Sequence, residues 1–304
     1  MLRSLLVPLD GTRFSEYALP LAEGVAQATG AALHLAHVHV PQPPTDLVGV
    51  TPFQYEGMNL DAYEDDDRDR ERDYMAALAT RLSEATPGPV DTALLEGEVP
   101  SALSHYAKEV GADAAILSTH SRTGPRRAWM GSVAEGLIRS GDLPVLVIHA
   151  DEGAEIGGPL NIRRILVPLD GSELSESILT TAVELVRACD ARLTLLQVLS
   201  TGHPDPGGMI PTNPEQWAHA LQEGEVYLEA LAGRLRRRRI RVDTMVMAHS
   251  DAGQAIREVA QEDGADLIAM ATHGYTGIRR VLFGSVAEDV LRHSHVPMLI
   301  QRPN

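Results

Sequence analysis

The chain has 304 residues, a length that predicts two domains at about 150 residues per domain. Its one cysteine, Cys189, excludes an intramolecular disulfide and a multi-cysteine zinc site. The formal charge of −16 argues against nucleic-acid or anionic-membrane binding, because both need a basic surface. No apolar run approaches the roughly 18 residues of a membrane helix, and the apolar start is too short for a signal peptide. We therefore expect a soluble, cytoplasmic protein.

Lysine is almost missing from the chain. The 26 basic residues include a single lysine, Lys108, which lies in HYAKEV without flanking glycines. A P-loop needs a lysine after its glycines, and a Schiff-base enzyme needs a lysine nucleophile. The sequence therefore argues against both classes of protein.

The chain contains an internal repeat. Leu5–Glu16 (LLVPLDGTRFSE) and Ile165–Glu176 (ILVPLDGSELSE) match at eight of twelve positions with an offset of 160. Thr119–Glu135 (THSRTGPRRAWMGSVAE) and Thr272–Glu288 (THGYTGIRRVLFGSVAE) match at eleven of seventeen with an offset of 153. Two such blocks in the same order indicate a duplicated domain. We expect domains at residues 1–150 and 161–304, joined by a flexible, Gly- and acid-rich linker at 151–160.

Each half alternates predicted strands and helices. The predicted strands are Leu5–Leu9, Ala32–Val40, Val90–Leu95, Ala114–Ser118 and Val145–Ile148, then Ile165–Leu169, Arg192–Leu199, Val242–Ala248, Leu267–Ala271 and Met298–Gln301. The predicted helices are Ser15–Thr29, Ala62–Glu84 and Ser101–Val110, then Ser175–Cys189, Glu215–Arg237 and Gly253–Glu262, with a further helix after each Gly-Ser pair. Ser15 and Ser175 are expected N-caps. This order predicts two α/β domains, each a doubly wound, five-stranded parallel sheet.

Acidic residues concentrate in the first half. Residues 1–155 carry 11 basic and 24 acidic residues, and the remainder carry 15 and 18. Much of this excess lies in Asp61–Asp73, DAYEDDDRDRERD, on the second predicted helix. A solvated face with i,i+4 acid–arginine pairs explains the run. A docking surface for a partner protein is the alternative.

The later repeated block resembles the ATP-binding members of the universal stress protein family, whose loop reads G-x-x-G, nine residues, G-[ST]. In the second half the block is Ala271-Thr272-His273-Gly274, and nine residues later comes Gly284-Ser285. In the first half it is Ser118-Thr119-His120-Ser121, followed by Gly131-Ser132. The first glycine is replaced in both halves, and the second only in the first half.

The resemblance implies a Rossmann-like fold related to the adenine nucleotide alpha hydrolases, with ATP bound beyond the strand ends. It implies that Asp10 and Asp170 contact the nucleoside, and that Val38 and Val198 pair with adenine through their main chains. Capping of the following turn is the alternative for the aspartates. The full set expected at the two sites is Pro8, Leu9, Asp10, Val38, Ser118, Ser121, Arg126, Arg127, Gly131, Ser132 and Val133, with Pro168, Leu169, Asp170, Val198, Ala271, His273, Gly274, Arg279, Arg280, Gly284, Ser285 and Val286.

The chemistry of these residues agrees with a phosphate site. Small residues let backbone N–H groups approach phosphate oxygens, and a helix that begins at Gly284-Ser285 or Gly131-Ser132 directs its amides at an anion. Arginine pairs inside the nine-residue loops could reach further phosphates. A glycine turn before a well-capped helix, without a ligand, is the alternative.

Other residues leave the function open. His37 and His39 have a spacing that metal ligands use, but no third ligand is evident, so packing or edge exposure is favoured. No nucleophile–base pair is evident, which leaves at most a slow ATPase. We expect a stress-response regulator or protectant that binds ATP, with Mg²⁺ as a companion ion, and a nucleotide-free interaction module as the alternative. The resemblance implies that the two halves pair through their last strands. Whether two chains then form a homodimer stays open.

Overall fold

The computed structural model describes residues 2–41, 60–120, 131–140, 143–150, 155–201, 211–272 and 283–303. The first half has five strands, which are β1 (Ser4–Leu9), β2 (Ala32–His39), β3 (Val90–Glu96), β4 (Ala114–His120) and β5 (Val145–Ala150). Its described helices are a 3-10 turn at Ser15–Ala18, then α1 (Leu19–Thr29), α2 (Leu60–Ala85), α3 (Val99–Glu109) and α4 (Ser132–Ser140).

The second half repeats this order. Its strands are β6 (Arg164–Pro168), β7 (Arg192–Ser200), β8 (Val242–His249), β9 (Leu267–Ala271) and β10 (Met298–Gln301). Its described helices are α5 (Glu173–Glu176), α6 (Leu179–Ala188), α7 (Pro214–Arg237), α8 (Ala252–Glu262) and α9 (Ser285–His293). The predicted strand and helix order is therefore confirmed, with bounds that differ by one or two residues at most ends.

The ten strands form one sheet in the order β3-β2-β1-β4-β5-β10-β9-β6-β7-β8. Within each half all paired strands are parallel, and β5 and β10 pair antiparallel, with Val147 opposite Met298. In the first half β1 lies between β2 and β4, so the strand order reverses there. This is the point at which parallel sheets of this kind open a crevice beyond their strand ends.

Alternate residues of the central strands pack on opposite faces of the sheet. Leu5 and Leu33 belong to one apolar cluster with residues of α1 and α2. Leu6 and Ala36 belong to a second cluster with residues of α3 and α4. Both faces are thus covered by helices, which is why these strands read as continuous apolar runs in the sequence.

The predicted serine N-caps are wrong. After β1 the chain forms a 3-10 turn before α1, and after β6 it forms the short α5 before α6, so neither helix is continuous. The Ser15 hydroxyl accepts from the Asp10 amide at 3.2 Å and donates to the Thr12 carbonyl at 2.9 Å. Ser175 makes the same two bonds to Asp170 and Ser172. The serines are used to fold the loop, so they are not available as caps.

The end of the segment between the halves lies on α1. The Leu160 amide donates to the Pro20 carbonyl at 2.8 Å. A Cβ atom on Gly24 would lie 1.9 Å from the Leu160 carbonyl oxygen, so glycine permits this close approach of two backbones. The last residue of the predicted linker is therefore fixed in place by packing.

The acidic run forms part of α2, and its arginines pair with acids three residues before them. Arg70 bonds to Asp67 and Arg72 to Asp69, each at 2.8 Å. This corrects the expected i,i+4 spacing. Among the helices that the structure describes, none combines the length and the apolar character that crossing a bilayer requires.

We expect the thiol of Cys189, at the end of α6, to react slowly. Burial raises its pKa to about 11, and the thiolate is the nucleophile. Near neutral pH, alkylation by iodoacetamide should be about 100-fold slower than for an exposed thiol, since each pKa unit changes the thiolate fraction about tenfold. Mass spectrometry follows the reaction, and the unfolded chain is the control. Equal rates in the folded and unfolded chains would contradict the burial of this thiol.

Candidate functional site

A cavity of about 560 Å³ opens beyond the carboxyl ends of the first-half strands. This volume is within the range of small-molecule sites, roughly 300–1,000 Å³. The end of β1, the end of β2, the end of β4 and the start of α4 all contribute to its walls. Every first-half residue of the expected site that the structure describes lines it, namely Pro8, Leu9, Asp10, Val38, Ser118, Gly131, Ser132 and Val133.

The aspartates after the first strand of each half cap their own turns. Asp10 Oδ1 accepts from the amide and hydroxyl of Thr12, at 2.9 and 2.6 Å. Asp170 Oδ1 accepts the same pair of bonds from Ser172, at 3.0 and 2.6 Å. Gly11, which lies between Asp10 and Thr12, has a φ of +76°, a conformation that glycine adopts without strain. The turn therefore holds each carboxylate at the strand end.

In the second half, α9 begins without a side-chain cap. The N-cap residue is Gly284, and its amide donates to the Thr272 carbonyl at 2.6 Å. Asn213 and Asp251, by contrast, accept amide hydrogen bonds at the starts of α7 and α8. The first amides of a helix have no partner within the helix. At α9 the N-cap residue has no side chain to accept from them.

The matching turn of the first half is held differently. The Gly131 amide lies 3.4 Å from the Thr119 hydroxyl oxygen. Ser118, which stands where the family loop has its first glycine, donates from its hydroxyl to the Phe14 carbonyl at 2.8 Å. This bond ties the end of β4 to the loop after β1, so the serine has a structural use that glycine lacks.

The remaining expected residues divide into two groups. In the second half, Pro168 ends β6, Leu169 follows it and bonds through its amide to the Leu196 carbonyl, Val198 lies in β7, Ala271 ends β9, and Ser285 and Val286 begin α9. The expected residues that lie outside the described part of the chain are Ser121, Arg126, Arg127, His273, Gly274, Arg279 and Arg280.

A tyrosine–glutamate pair recurs beside each strand-end turn, and the sequence reasoning missed it. The Tyr74 hydroxyl donates to Glu16 at 3.1 Å, and Tyr227 donates to Glu176 at 3.1 Å. Burial, aided by the carboxylate, raises the pKa of both phenols above the ordinary range. The pairs tie α2 and α7 to the loops that carry the aspartates. Their signal in the sequence was the recurrence of both residue types in both halves.

One further cluster lies in the wall of the first-half cavity. Glu71 of α2 contacts two buried histidines of β2, His37 Nε2 at 3.2 Å and His39 Nδ1 at 2.8 Å. Among the residues that the structure describes, none is a hydrogen-bond partner of their remaining ring nitrogens, which are buried. We call these three side chains the histidine clasp. The packing expected for these histidines is confirmed, since both are buried, and Glu71 is a partner that the sequence did not identify. Within the described part of the chain, no three or more His, Cys, Asp or Glu side chains are arranged to hold a metal ion.

We expect Glu71→Ala to lower the free energy of unfolding by about 1.5 kcal/mol, since it removes the acceptor of two buried ring N–H groups. Glu71→Gln should recover part of this loss, because its amide oxygen still accepts one bond. Asp69→Ala, on an exposed face of the same helix, should change stability by less than about 0.5 kcal/mol. Urea unfolding measures all three. Equal effects of Glu71→Ala and Asp69→Ala would contradict a stabilising clasp.

Comparison with known proteins settles the family. The model of the Universal stress protein family matches residues 1–149 and again residues 161–302. The chain belongs to the universal stress protein family. The resemblance drawn from the repeated loops is thereby confirmed, and the mostly parallel α/β architecture agrees with it.

Relatives of this universal stress protein align with nearly all of the chain or with part of it. It is 26% identical to one from Mycolicibacterium smegmatis over 98% of this chain and 97% of the relative. It is 31% identical to one from Mycobacterium bovis, where the alignment covers 63% of this chain and 62% of that relative's length. A solved universal stress protein from Archaeoglobus fulgidus has the same fold, with a TM-score of 0.66 at 18% identity over 99% of this chain and 96% of that one.

Proposed function

We propose that this protein binds ATP in the strand-end crevice of each half and acts as a nucleotide-dependent regulator or protectant in the stress response. The observation that carries the proposal is the first-half cavity. Eight residues expected from the sequence, drawn from three strand ends and one helix start, line a single space of about 560 Å³. A nucleotide needs such a convergence of an acidic side chain, apolar walls and backbone amides.

The crevice has two chemically different ends. Val38 lies on the β2 side, where the resemblance implies that the main chain contacts adenine, and Asp10 lies between that side and α4. Gly131 and Ser132 lie on the opposite side, at the start of α4. We propose that the base lies against β2 and that the phosphates extend to the amides of α4. The helix dipole favours an anion there.

For the second half, the proposal rests on α9 and the turn after β6. The uncapped amides after Gly284 and the hydroxyl of Ser285 would hold the phosphates, and Asp170 would contact the nucleoside. Lysine takes no part in either site, so phosphate would be held by backbone amides, hydroxyls and arginines. The arginine pairs at 126–127 and 279–280, with His273 and Gly274, lie outside the described residues, and we include them in this proposal as candidate phosphate contacts.

Magnesium fits the proposed sites as a companion of the nucleotide. Mg²⁺ prefers oxygen ligands and keeps several waters, so phosphates and one carboxylate are a sufficient donor set. Asp10 and Asp170 each carry a carboxylate at the strand end, and each uses Oδ1 for its turn. A carboxylate oxygen can accept more than one interaction, which is compatible with a cation beside it.

We further propose that residues 1–150 and 161–304 are two domains that work as a pair within one chain, in the cytoplasm. The antiparallel pairing of β5 with β10 supports this arrangement, since it places the final strand of each half at the centre of the sheet. The buried, apolar character of Val147 and Met298 at this contact also supports it.

The test is mass spectrometry of nucleotide released by denaturing the purified protein. We expect adenine nucleotide in the released pool, and ATP added to the stripped protein should raise its Tm. A released pool without adenine nucleotide, together with an unchanged Tm at millimolar ATP, would overturn the proposal in favour of a nucleotide-free interaction module.

A further inference from the structure

Helix α2 of the first half and helix α7 of the second differ in charge at matched positions. The tyrosine–glutamate pairs make α2 and α7 comparable, because Tyr74 and Tyr227 hold the same place with an offset of 153. At this offset, Arg70 of α2 corresponds to Glu223 of α7. This position therefore carries opposite charges in the two halves, and Glu223 lies 3.3 Å from His219 one turn earlier on α7.

Arg70 belongs to the first-half cavity. Arg70, Glu71 and Tyr74 are the α2 residues that line it. Among the lining residues that the structure describes, Arg70 is the one arginine, and the acidic groups are Asp10 and Glu71. An anionic ligand that enters beside two carboxylates is repelled unless a cation compensates. Arg70 is placed to do so.

The present partner of Arg70 does not compete strongly for it. Its guanidinium bonds to Asp67 at 2.8 Å, one turn earlier on the same helix, with the arginine side chain 72% exposed. Such surface pairs contribute little to stability, because water screens the two charges. A guanidinium binds phosphate through two parallel N–H donors, which is a stronger arrangement. A phosphate is therefore a stronger type of partner for Arg70 than Asp67 is.

The histidine clasp holds Arg70 at the rim. Glu71, the next residue along α2, is bound to His37 and His39 of β2. At the corresponding place the second half has Gly224, and Gln197 replaces His37. The first half thus fixes this turn of the helix to the strand that borders the crevice, and the second half lacks these three side chains.

We propose that Arg70 contacts the negatively charged part of the ligand in the first-half crevice, and that Glu223 opposes such contact in the second half. The two sites then differ in preference, the first favouring ligands with more negative charge. This inference rests on the proposed nucleotide function and adds a specificity residue to it. The loop of the first half has serine in place of both early glycines of the family motif. Arg70 adds an electrostatic attraction to the anionic ligand that this loop sequence does not supply.

The experiment uses the full chain with Gly284→Asp, so that only the first-half site is measured, with ATP and uncharged adenosine as probes. Arg70→Glu should weaken ATP binding at least tenfold and adenosine binding less than twofold. Arg72→Glu is the matched control, because Arg72 has an equivalent pair to Asp69 and does not line the cavity. It should change either affinity less than twofold. Equal effects of the two substitutions on ATP would overturn the inference.

The reciprocal experiment uses Gly131→Asp to isolate the second-half site. Glu223→Arg should tighten ATP binding severalfold there and leave adenosine unchanged, and an unchanged ATP affinity would overturn the assignment of Glu223. The failure of the proposed function gives a different result. In that case neither single-site chain binds ATP or adenosine before Arg70 or Glu223 is changed.

Discussion

Gly284→Asp is expected to abolish nucleotide binding in the second half while the protein stays folded. Gly284 has φ −67° and ψ 152°, which any residue adopts. A Cβ there would lie 3.5 Å from the Thr272 carbonyl oxygen, an ordinary contact. An aspartate at this N-cap position accepts the amides of α9 and places a negative charge where the phosphates are proposed to lie. Stability should be unchanged or higher, and ATP affinity at this site should fall at least 100-fold.

The measurement is the rise in Tm that ATP produces in chains with the other site disabled by Gly131→Asp. Gly284→Ala is the control, because it adds a side chain without a charge or an acceptor, and it should retain most of the binding. If Gly284→Asp keeps the full ATP-dependent shift, the phosphates are held somewhere other than the start of α9.

Gly24→Ala is expected to lower the free energy of unfolding by about 1 to 3 kcal/mol. Alanine in a helix is favoured over glycine by about 1 kcal/mol. The added methyl group would lie 1.9 Å from the Leu160 carbonyl oxygen, and a backbone atom cannot relieve the clash by a change of rotamer as a side chain can. Overpacking costs about 1–3 kcal/mol, and displacement of Leu160 also breaks its bond to Pro20, worth about 1 kcal/mol. The clash therefore outweighs the helix propensity.

Two matched substitutions isolate this effect in urea unfolding. Gly233→Ala lies inside α7, where the new Cβ would meet only the end of the Arg237 side chain at 3.8 Å, so we expect a small stabilisation. Gly157→Ala lies in the segment between the halves with no atom within 4 Å, and it should be neutral to about 0.5 kcal/mol. Stabilisation by Gly24→Ala similar to that of Gly233→Ala would show that Leu160 does not rest on α1.

The sequence predicted those parts of the fold that depend on local patterns. Apolar runs such as Leu5–Leu9 predicted the strands, because a strand that is buried on both faces of a sheet is apolar throughout and does not alternate apolar and polar residues. The repeated motifs located the strand-end residues, and Asp10, Val38 and Gly131 do line one cavity. The prediction of serine N-caps failed because a serine hydroxyl can either cap a helix or bond within a turn, and Ser15 bonds within the turn to Asp10 and Thr12.

The side chains of α2 were not predictable in the same way. Glu71 is 32 residues from His39 in the sequence, and the expected role of that helix was a solvated face. Which side chains of an acidic helix contact a strand depends on the rotation of the helix about its axis when it packs. The periodicity of apolar residues in the sequence does not determine this rotation. The buried neighbours Met75 and Leu78 mark the inward face, and Glu71 lies one turn before Met75 on that same face.

Calorimetric titration of the stripped protein with ATP tests the central claim most directly. The account predicts saturable binding to the wild-type chain, one class of site left in each of Gly131→Asp and Gly284→Asp, and no binding to the double variant. Circular dichroism confirms that each chain is folded. A wild-type chain that gives no binding heat at any temperature, or a double variant that binds ATP as the wild type does, would contradict nucleotide binding at the strand ends.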